Sequence, residues 1–468
     1  MLDTSSLPYM ALTDVAAGVK TGELSPVVLT EAMLARIAAV DAELHSYIAV
    51  TGESALAQAR QAEAEIRSGR YRGPLHGVPI AIKDLFFTAG TPATFGSAAY
   101  KDFVSDYSAT VVDRLVAAGA VILGRLALHE GALAEHHPMF GPPPRHPYVA
   151  GFWPGGSSSG SGVATAAGLC FAALGSDTGG SIRFPSAING VTGLKPTWGR
   201  VSRYGVFTLA DTLDSVGPMA RSAADAAAVF DVIAGHDDND PTSLRAPVPN
   251  YLAALESGIL GARDLRIGVD WAYIEEGTDP EIITSIRDAL DVFKTIGAKL
   301  VEIKVPPTHA VTRSQFIIME TECARYHEAH YRTNPEGFGR LRETIERGFK
   351  YSSTEIAAAY IEKDRFKGAL LELFEHVDVV PAPIMPWVGA RYDQLDEIFA
   401  TIASFGRYSG PYNMAGVPTI TFPTGSNVIG LPLGMQLIGP HLSEAKLLKA
   451  AHAFQQATPW HLRRPTLS

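Results

Sequence analysis

Cysteine is nearly absent from this 468-residue chain; only Cys170 and Cys323 occur, far apart. That argues against a disulfide framework or a cysteine zinc site and fits a reducing compartment, so a cytoplasmic location is expected. Cations are the minority charge, 39 Lys and Arg against 49 Asp and Glu, for a net charge of −10. Nucleic acid and anionic membrane surfaces both require clustered cations, so neither is expected as a partner. No uninterrupted apolar run reaches the ~18 residues of a membrane span. The opening "MLDTSSLPYMALTDV" lacks a basic start followed by an apolar core, so no secretory leader is expected.

What is present is globular, 46% hydrophobic and 19% charged. Apolar residues at helical spacing over 11–68 predict helices, with Thr13 and Ser25 as caps and Pro26 in a first turn. "GVPIAIKD" (77–84) reads as a buried strand, and "ATVVDRLVAAGAVILGRL" as helix, Gly punctuation and strand. The alternation recurs with "LRIGVD" (265–270), a helix over 279–295, "AKLVEIKV", "VDVVPAP" (377–383), "LGMQLIG" (433–439) and a closing helix "SEAKLLKAAHAFQQA". Strands alternating with helices predict an α/β layered fold around a largely parallel or mixed sheet. The loop 236–250 reads as a surface excursion within one domain.

Three segments carry chemistry. Lys83 ends the apolar run "GVPIAIKD". It is either a surface lysine or a desolvated one, in which burial disfavours the ammonium and leaves a general base. "PGGSSSGSG" (154–162) admits a flexible Gly/Ser linker, yet it opens on Pro154 and runs into an apolar helix. Residues 156–160 also match G-x-S-x-G with Ser158 at the centre, but no strand precedes them as that motif requires. A dinucleotide loop fails because Thr165 stands in place of the third glycine.

"GSDTGGSIRFPS" (175–186) lies between a strand-like run and a plausible helix, and lacks the Lys of a phosphate loop. It is an ordinary turn or an oxyanion site. In the second reading the N–H groups of Thr178, Gly179, Gly180 and Ser181 converge on a developing negative oxygen, with the Ser181 hydroxyl placed to attack. Together the segments supply a hydroxyl, a proton acceptor and an anion site, the requirements of nucleophilic acyl transfer. His136 and His137 tempt as metal ligands, but adjacent histidines project differently and no carboxylate spacing supports a site.

The block "GPLHGVPIAIKD", "GPPPRHPYVAGFWPGGSSSGSG" and "GSDTGGSIRFPSAINGVTGLKPTWGRVS" resembles the amidase signature family of serine hydrolases. The likeness is dense over 73–220 and thinner to "SGPYNMAGVPTITFPTG" and "LPLGMQLIG". It implies one domain over 1–468: an N-terminal helical part (1–72), the signature core (73–220) and a remainder lining the pocket (221–468). The implied fold is a three-layer α/β/α sandwich around a twisted, mostly parallel mixed sheet.

By motif position the resemblance implies Ser181 as nucleophile, Ser157 as bridging serine after a cis peptide bond, and Lys83 as base. Ser158, Asp177 and Arg183 match supporting positions, and Thr178, Gly179 and Gly180 the oxyanion hole. No metal or organic cofactor is implied. The implied activity is hydrolysis of a small-molecule carboxamide, extending to aryl esters or carbamates, by a monomer or homodimer. A glutaminase subunit of a tRNA-dependent amidotransferase and a non-catalytic ligand-binding scaffold are the alternatives.

Two departures stand near the site: "HPYV" (146–149) where the family often has N-P-W, and SSSGSG in the serine loop. Both read as substrate tuning. Family amidotransferase subunits carry an aspartate seven positions before the Asn matching Asn413; here that position is Gly406. Pocket walls are expected from 129–144 and from 310–350 or 385–410, with Met139, Phe140 and Trp387 hinting at an apolar lining.

Overall fold

The computed structural model describes residues 6–400 and 406–467. Its strands are, in chain order, β1 (Tyr47–Val50), β2 (Pro79–Lys83), β3 (Val121–Leu126), β4 (Ala172–Asp177), β5 (Thr192–Lys195), β6 (Ser215–Ala220), β7 (Arg266–Val269), β8 (Lys299–Glu302), β9 (Val380–Ala382), β10 (Thr419–Ser426) and β11 (Pro432–Ile438). Nine of them form one mixed sheet in the order β1-β3-β2-β4-β6-β5-β10-β11-β9, while β7 and β8 pair alone. The expected mixed sheet flanked by helices is present, but its parallel majority is not. Only β2–β3 and β2–β4 are parallel; the other neighbours in the large sheet are antiparallel. Sequence alternation of strand and helix does not reveal this, because it does not say which strands pair: β5 and β6 follow one another with no helix between them and are antiparallel, and β5 pairs on its other side with the distant β10.

Helices cover both faces. Thr192 Oγ1 accepts from Gln455 Nε2 of the helix Glu444–Ala457 at 2.9 Å. At the next residue, Gly193, a Cβ would fall 2.1 Å from Ser186 Oγ of the helix Arg183–Ile188. Successive strand positions point to opposite faces, so the two helices sandwich the sheet. β2, β3, β4 and β6 are buried along their whole length, as doubly covered strands are.

The helices fall where periodicity placed them, with one correction at a cap. Ser25 Oγ accepts from Val28 N at 3.2 Å ahead of Pro26, as expected. Thr13 lies inside the helix Leu12–Thr21, whose N-cap is Ala11, so the capping role fails.

The parallel pairing of β2 and β4 positions the site. Ala81 pairs with Ala173 and Ile82 with Leu174, so both strands end on the same edge of the sheet. That edge brings together Lys83, the last residue of β2, and the pair Ser176 and Asp177 at the end of β4. A crevice beyond the carboxyl ends of parallel strands is a common place for chemistry in α/β proteins.

Candidate active site

Lys83 is fully buried, and its Nζ lies 2.8 Å from Ser157 Oγ, 3.0 Å from Ser158 Oγ and 2.9 Å from Ser176 Oγ. Burial pushes its pKa down from 10.5 to about 7, against the opposing fields of Asp177 and Asp214. The alternative of a surface lysine is excluded. Ser158 Oγ donates to the carbonyl of Ser176 at 3.2 Å and accepts its N–H at 3.3 Å, which clamps the serine loop to the end of β4.

That loop is neither a linker nor a strand-to-helix elbow. The Gly156–Ser157 bond is cis, and the helix Ser159–Ala166 begins two residues after Ser157. Its apposition to the second loop is direct, since Ser158 N donates to the carbonyl of Ser181 at 3.2 Å. Ser181 sits in the turn between β4 and the helix Arg183–Ile188, half-buried, where it and Ser157 line one cavity of about 340 Å³. Among the described residues, Ser181 Oγ takes part in no hydrogen bond.

Asp177 and Arg183, both fully buried, hold the second loop. The Asp177 carboxylate accepts from Gly180 N at 2.8 Å, Ile182 N at 3.0 Å, Arg183 Nε at 3.0 Å and Nη2 at 2.9 Å, and Asn413 Nδ2 at 2.9 Å. Burial alone would raise its pKa, but the guanidinium and these donors hold it well below the carboxylate range. Arg183 also donates to the carbonyl of Ser409 at 3.0 Å and to Gln436 Oε1 at 3.2 Å, and meets Asn413 Oδ1.

The anion site differs from expectation at one amide. Gly180 N–H is taken by Asp177, whereas the N–H groups of Gly179 and Ser181 donate to nothing among the described residues. The carboxylate of Asp177, three residues earlier, reaches forward to accept from it, a local pairing that the glycine pattern does not disclose.

The expected wall segments do line the cavity: Leu133 and Glu135 from 129–144, Phe316, Met319, Arg340 and Arg347 from 310–350, and Asp396 and Gly406 from 385–410. Residues 401–405 of the last segment lie outside those described. The three named pocket residues are corrected. Met139 is 54% exposed on the short turn Pro138–Phe140, and Phe140 packs on His137 there. Trp387 packs beside Ile384 and Met385 and lines a smaller crevice with them, not the cavity over Ser181. An apolar residue in a loop carries no periodicity to say which way it faces.

The Amidase family model matches residues 28–448. The chain belongs to the amidase family. Along 99% of its length it is 41% identical to AmiD of Mycobacterium tuberculosis, covering 97% of that protein. It is 39% identical to a glutamyl-tRNA(Gln) amidotransferase subunit of Chromohalobacter salexigens, over 97% of this chain and 98% of the relative. The native peptide amidase of Stenotrophomonas maltophilia superposes with a TM-score of 0.84 at 32% identity, over 98% of this chain and 99% of that one. As an amidase it is a hydrolase of amide C–N bonds. No described helix is long and apolar enough to cross a membrane.

Other residues of this amidase were not legible as site residues. Ser176 is the third hydroxyl on Lys83. His129 and Trp153 line the cavity, with Trp153 Nε1 donating to His129 Nε2 at 3.3 Å, and burial pushes His129 down to about 4. His136 meets Ser159 Oγ at 2.9 Å. His146, in the departing "HPYV", is a buried fold element away from the cavity: its Nδ1 accepts from Tyr148 N and Val149 N and its Nε2 faces the carbonyl of Ile188. The reading of that departure as substrate tuning gives way to a structural one.

Proposed function

We propose that this amidase cleaves carboxamides through an acyl-enzyme on Ser181, with Ser157 and Lys83 as the proton relay. The observation that carries this reading is the buried Lys83 amine surrounded by three serine hydroxyls. A neutral amine has two N–H donors and one lone pair. Donation to Ser158 and Ser176 leaves the lone pair for the Ser157 hydroxyl proton. Ser181 then passes its proton to Ser157 as its oxygen attacks the carbonyl carbon, and the two hydroxyls close to hydrogen-bond distance in the substrate complex.

The tetrahedral oxyanion is met by the amides of Gly179 and Ser181, in a site where one donor is worth about 10²–10³ in rate. Collapse expels the amine, which takes its proton from Lys83 through Ser157. Water repeats the sequence on the ester and releases the acid. No step uses a metal or an organic cofactor. Esters and carbamates present the same carbonyl geometry and are expected as further substrates.

The walls favour one kind of acyl group. Leu133, Trp153, Phe184, Leu209, Phe316 and Met319 give an apolar interior. At the rim Arg340 is paired with Glu135 and Asp396, and Arg347 with Glu320 at 2.7 Å. Both guanidiniums are thus engaged, and four carboxylates (Glu135, Glu320, Glu343 and Asp396) share the lining with them, so an apolar acyl group fits better than one carrying a free carboxylate, as glutamine does. Gly406 lines the same cavity, and a Cβ there would make ordinary contacts with Thr312 and Phe316. The place of the amidotransferase aspartate is therefore open in space and lacks the charge, which favours a free-standing enzyme over the glutaminase role.

The test is a panel of aryl acylamides, aliphatic amides, aryl carbamates and glutamine, with fluorophosphonate labelling. Turnover of neutral amides and labelling, both lost in Ser181→Ala with the fold intact, support the reading. Unchanged turnover in Ser181→Ala overturns it, and ammonia release from glutamine with a co-purifying partner favours the glutaminase role.

A further inference from the structure

We propose that Gln315, in the helix His309–Thr333, is a positioning residue that aims the Gly179 amide at the substrate's carbonyl oxygen. The inference rests on the acyl-enzyme reading above and adds a residue from outside the signature core.

The argument follows the peptide planes of the loop after β4. In a trans peptide unit the C=O and the next N–H point in opposite directions, so whatever pins the carbonyl also aims the amide. Three successive planes are pinned in this way. The Gly180 carbonyl accepts from Phe184 N at 2.7 Å, which turns the Ser181 amide away from the short helix. The Gly179 carbonyl accepts from Ser409 Oγ at 2.5 Å, and the Gly180 amide on its far side meets Asp177. The Thr178 carbonyl accepts from Gln315 Nε2 at 3.0 Å, leaving the Gly179 amide directed away from Gln315 and without a protein partner among the described residues.

The Thr178–Gly179 plane depends on a side chain 137 residues distant. A carbonyl oxygen accepts only, so it fixes which end of the Gln315 amide faces it. Gln315 is 2% exposed and its amide group sits between two glycines. A Cβ at Gly179 would fall 2.5 Å from Nε2, and one at Gly410 would fall 1.9 Å from Oε1. Two separate backbone segments therefore leave room for this one side chain. Thr178 is tied from its other side as well, where its Oγ1 donates to Asp214 Oδ1 at 2.6 Å and Asp214 Oδ2 accepts from Leu209 N at 2.9 Å. With the side chain held by Asp214 and the carbonyl by Gln315, rotating the plane would break the Gln315 hydrogen bond.

Gln315→Met keeps the length and removes the donor. Measured on an aryl acylamide turned over by the wild type, kcat should fall by about 10²–10³, the effect of one oxyanion donor. KM should stay within about twofold, because the lost interaction acts only when charge develops. The rate of fluorophosphonate labelling should fall in parallel, while the melting transition stays cooperative. Gln315→Leu, likewise apolar and unable to donate, should give the same kcat loss and serves if the Met variant does not fold. Wild-type kcat in the folded variants, or a rise in KM alone, overturns the proposal. Retained turnover in Ser181→Ala would instead overturn the reading beneath it, so the two failures are separate.

Discussion

Lys83 Nζ and Ser157 Oγ are 2.8 Å apart, the amine wholly buried and the hydroxyl at the wall of the cavity. Burial favours the neutral amine, and in the proposed relay the amine sets the direction in which a proton can move. An ammonium has three donors and no lone pair, so it can satisfy all three serines and accept from none.

Activity should therefore require the neutral form. The kcat/KM profile is expected to rise with pH through an apparent pKa of about 7, the value to which burial lowers Lys83. His129, pushed down to about 4, is neutral throughout that range, so His129→Gln should leave the position of the limb unchanged. A limb that vanishes in that variant would transfer the role to the imidazole.

The relay residues should behave as one unit. Ser181→Ala, Ser157→Ala and Lys83→Met are each expected to lower kcat by roughly 10⁴-fold or more, and the double variant Ser181→Ala/Lys83→Met by no more than the worse single one. Additive losses in steady-state kinetics would count against a shared relay.

Stability should also carry the mark of the buried amines. Lys83 and Lys195 are both fully buried and lowered from 10.5 to about 7 by desolvation. Between about pH 7 and 10 the unfolded chain binds protons at these two positions and the folded chain does not, so their contribution makes stability rise with pH. The urea midpoint of Lys83→Met should depend less on pH across that window than the wild type's.

Arg183→Met removes the partner of a carboxylate that is wholly buried. Breaking such a pair costs about 3–5 kcal/mol, and a guanidine hydrochloride titration should show a loss of that size. Gly406→Asp is the contrasting case, because a Cβ there makes only ordinary contacts, with Thr312 and Phe316. It should fold normally and raise KM for neutral apolar amides, since a carboxylate is then brought to an apolar wall.

Much of the site was legible because its motifs lie within 73–220 of the sequence and their residue types are costly to place anywhere else. A lysine closing an apolar strand and serines crowded among glycines both pointed to the crevice where they meet. Gln315 was not legible, since a glutamine at helical spacing looks like any surface position until the fold brings it to Thr178. The excess of antiparallel pairings escaped for a similar reason: β5 has only four residues, and strand direction leaves no imprint on hydrophobic pattern. Met139 and Trp387 misled because apolar character alone does not tell a pocket wall from an exposed turn or a packed cluster.

The grip of Arg183 on Ser409, Asn413 and Gln436 has a consequence for how the polypeptide is made. A ribosome that has emitted residues 1–220 has synthesised every member of the proposed relay, yet the guanidinium still awaits partners 226 to 253 positions downstream. Until they emerge, the nascent segment holds a cation with an incomplete set of acceptors. Hydrolytic competence should thus appear late in translation and be missing from any product truncated before Gln436.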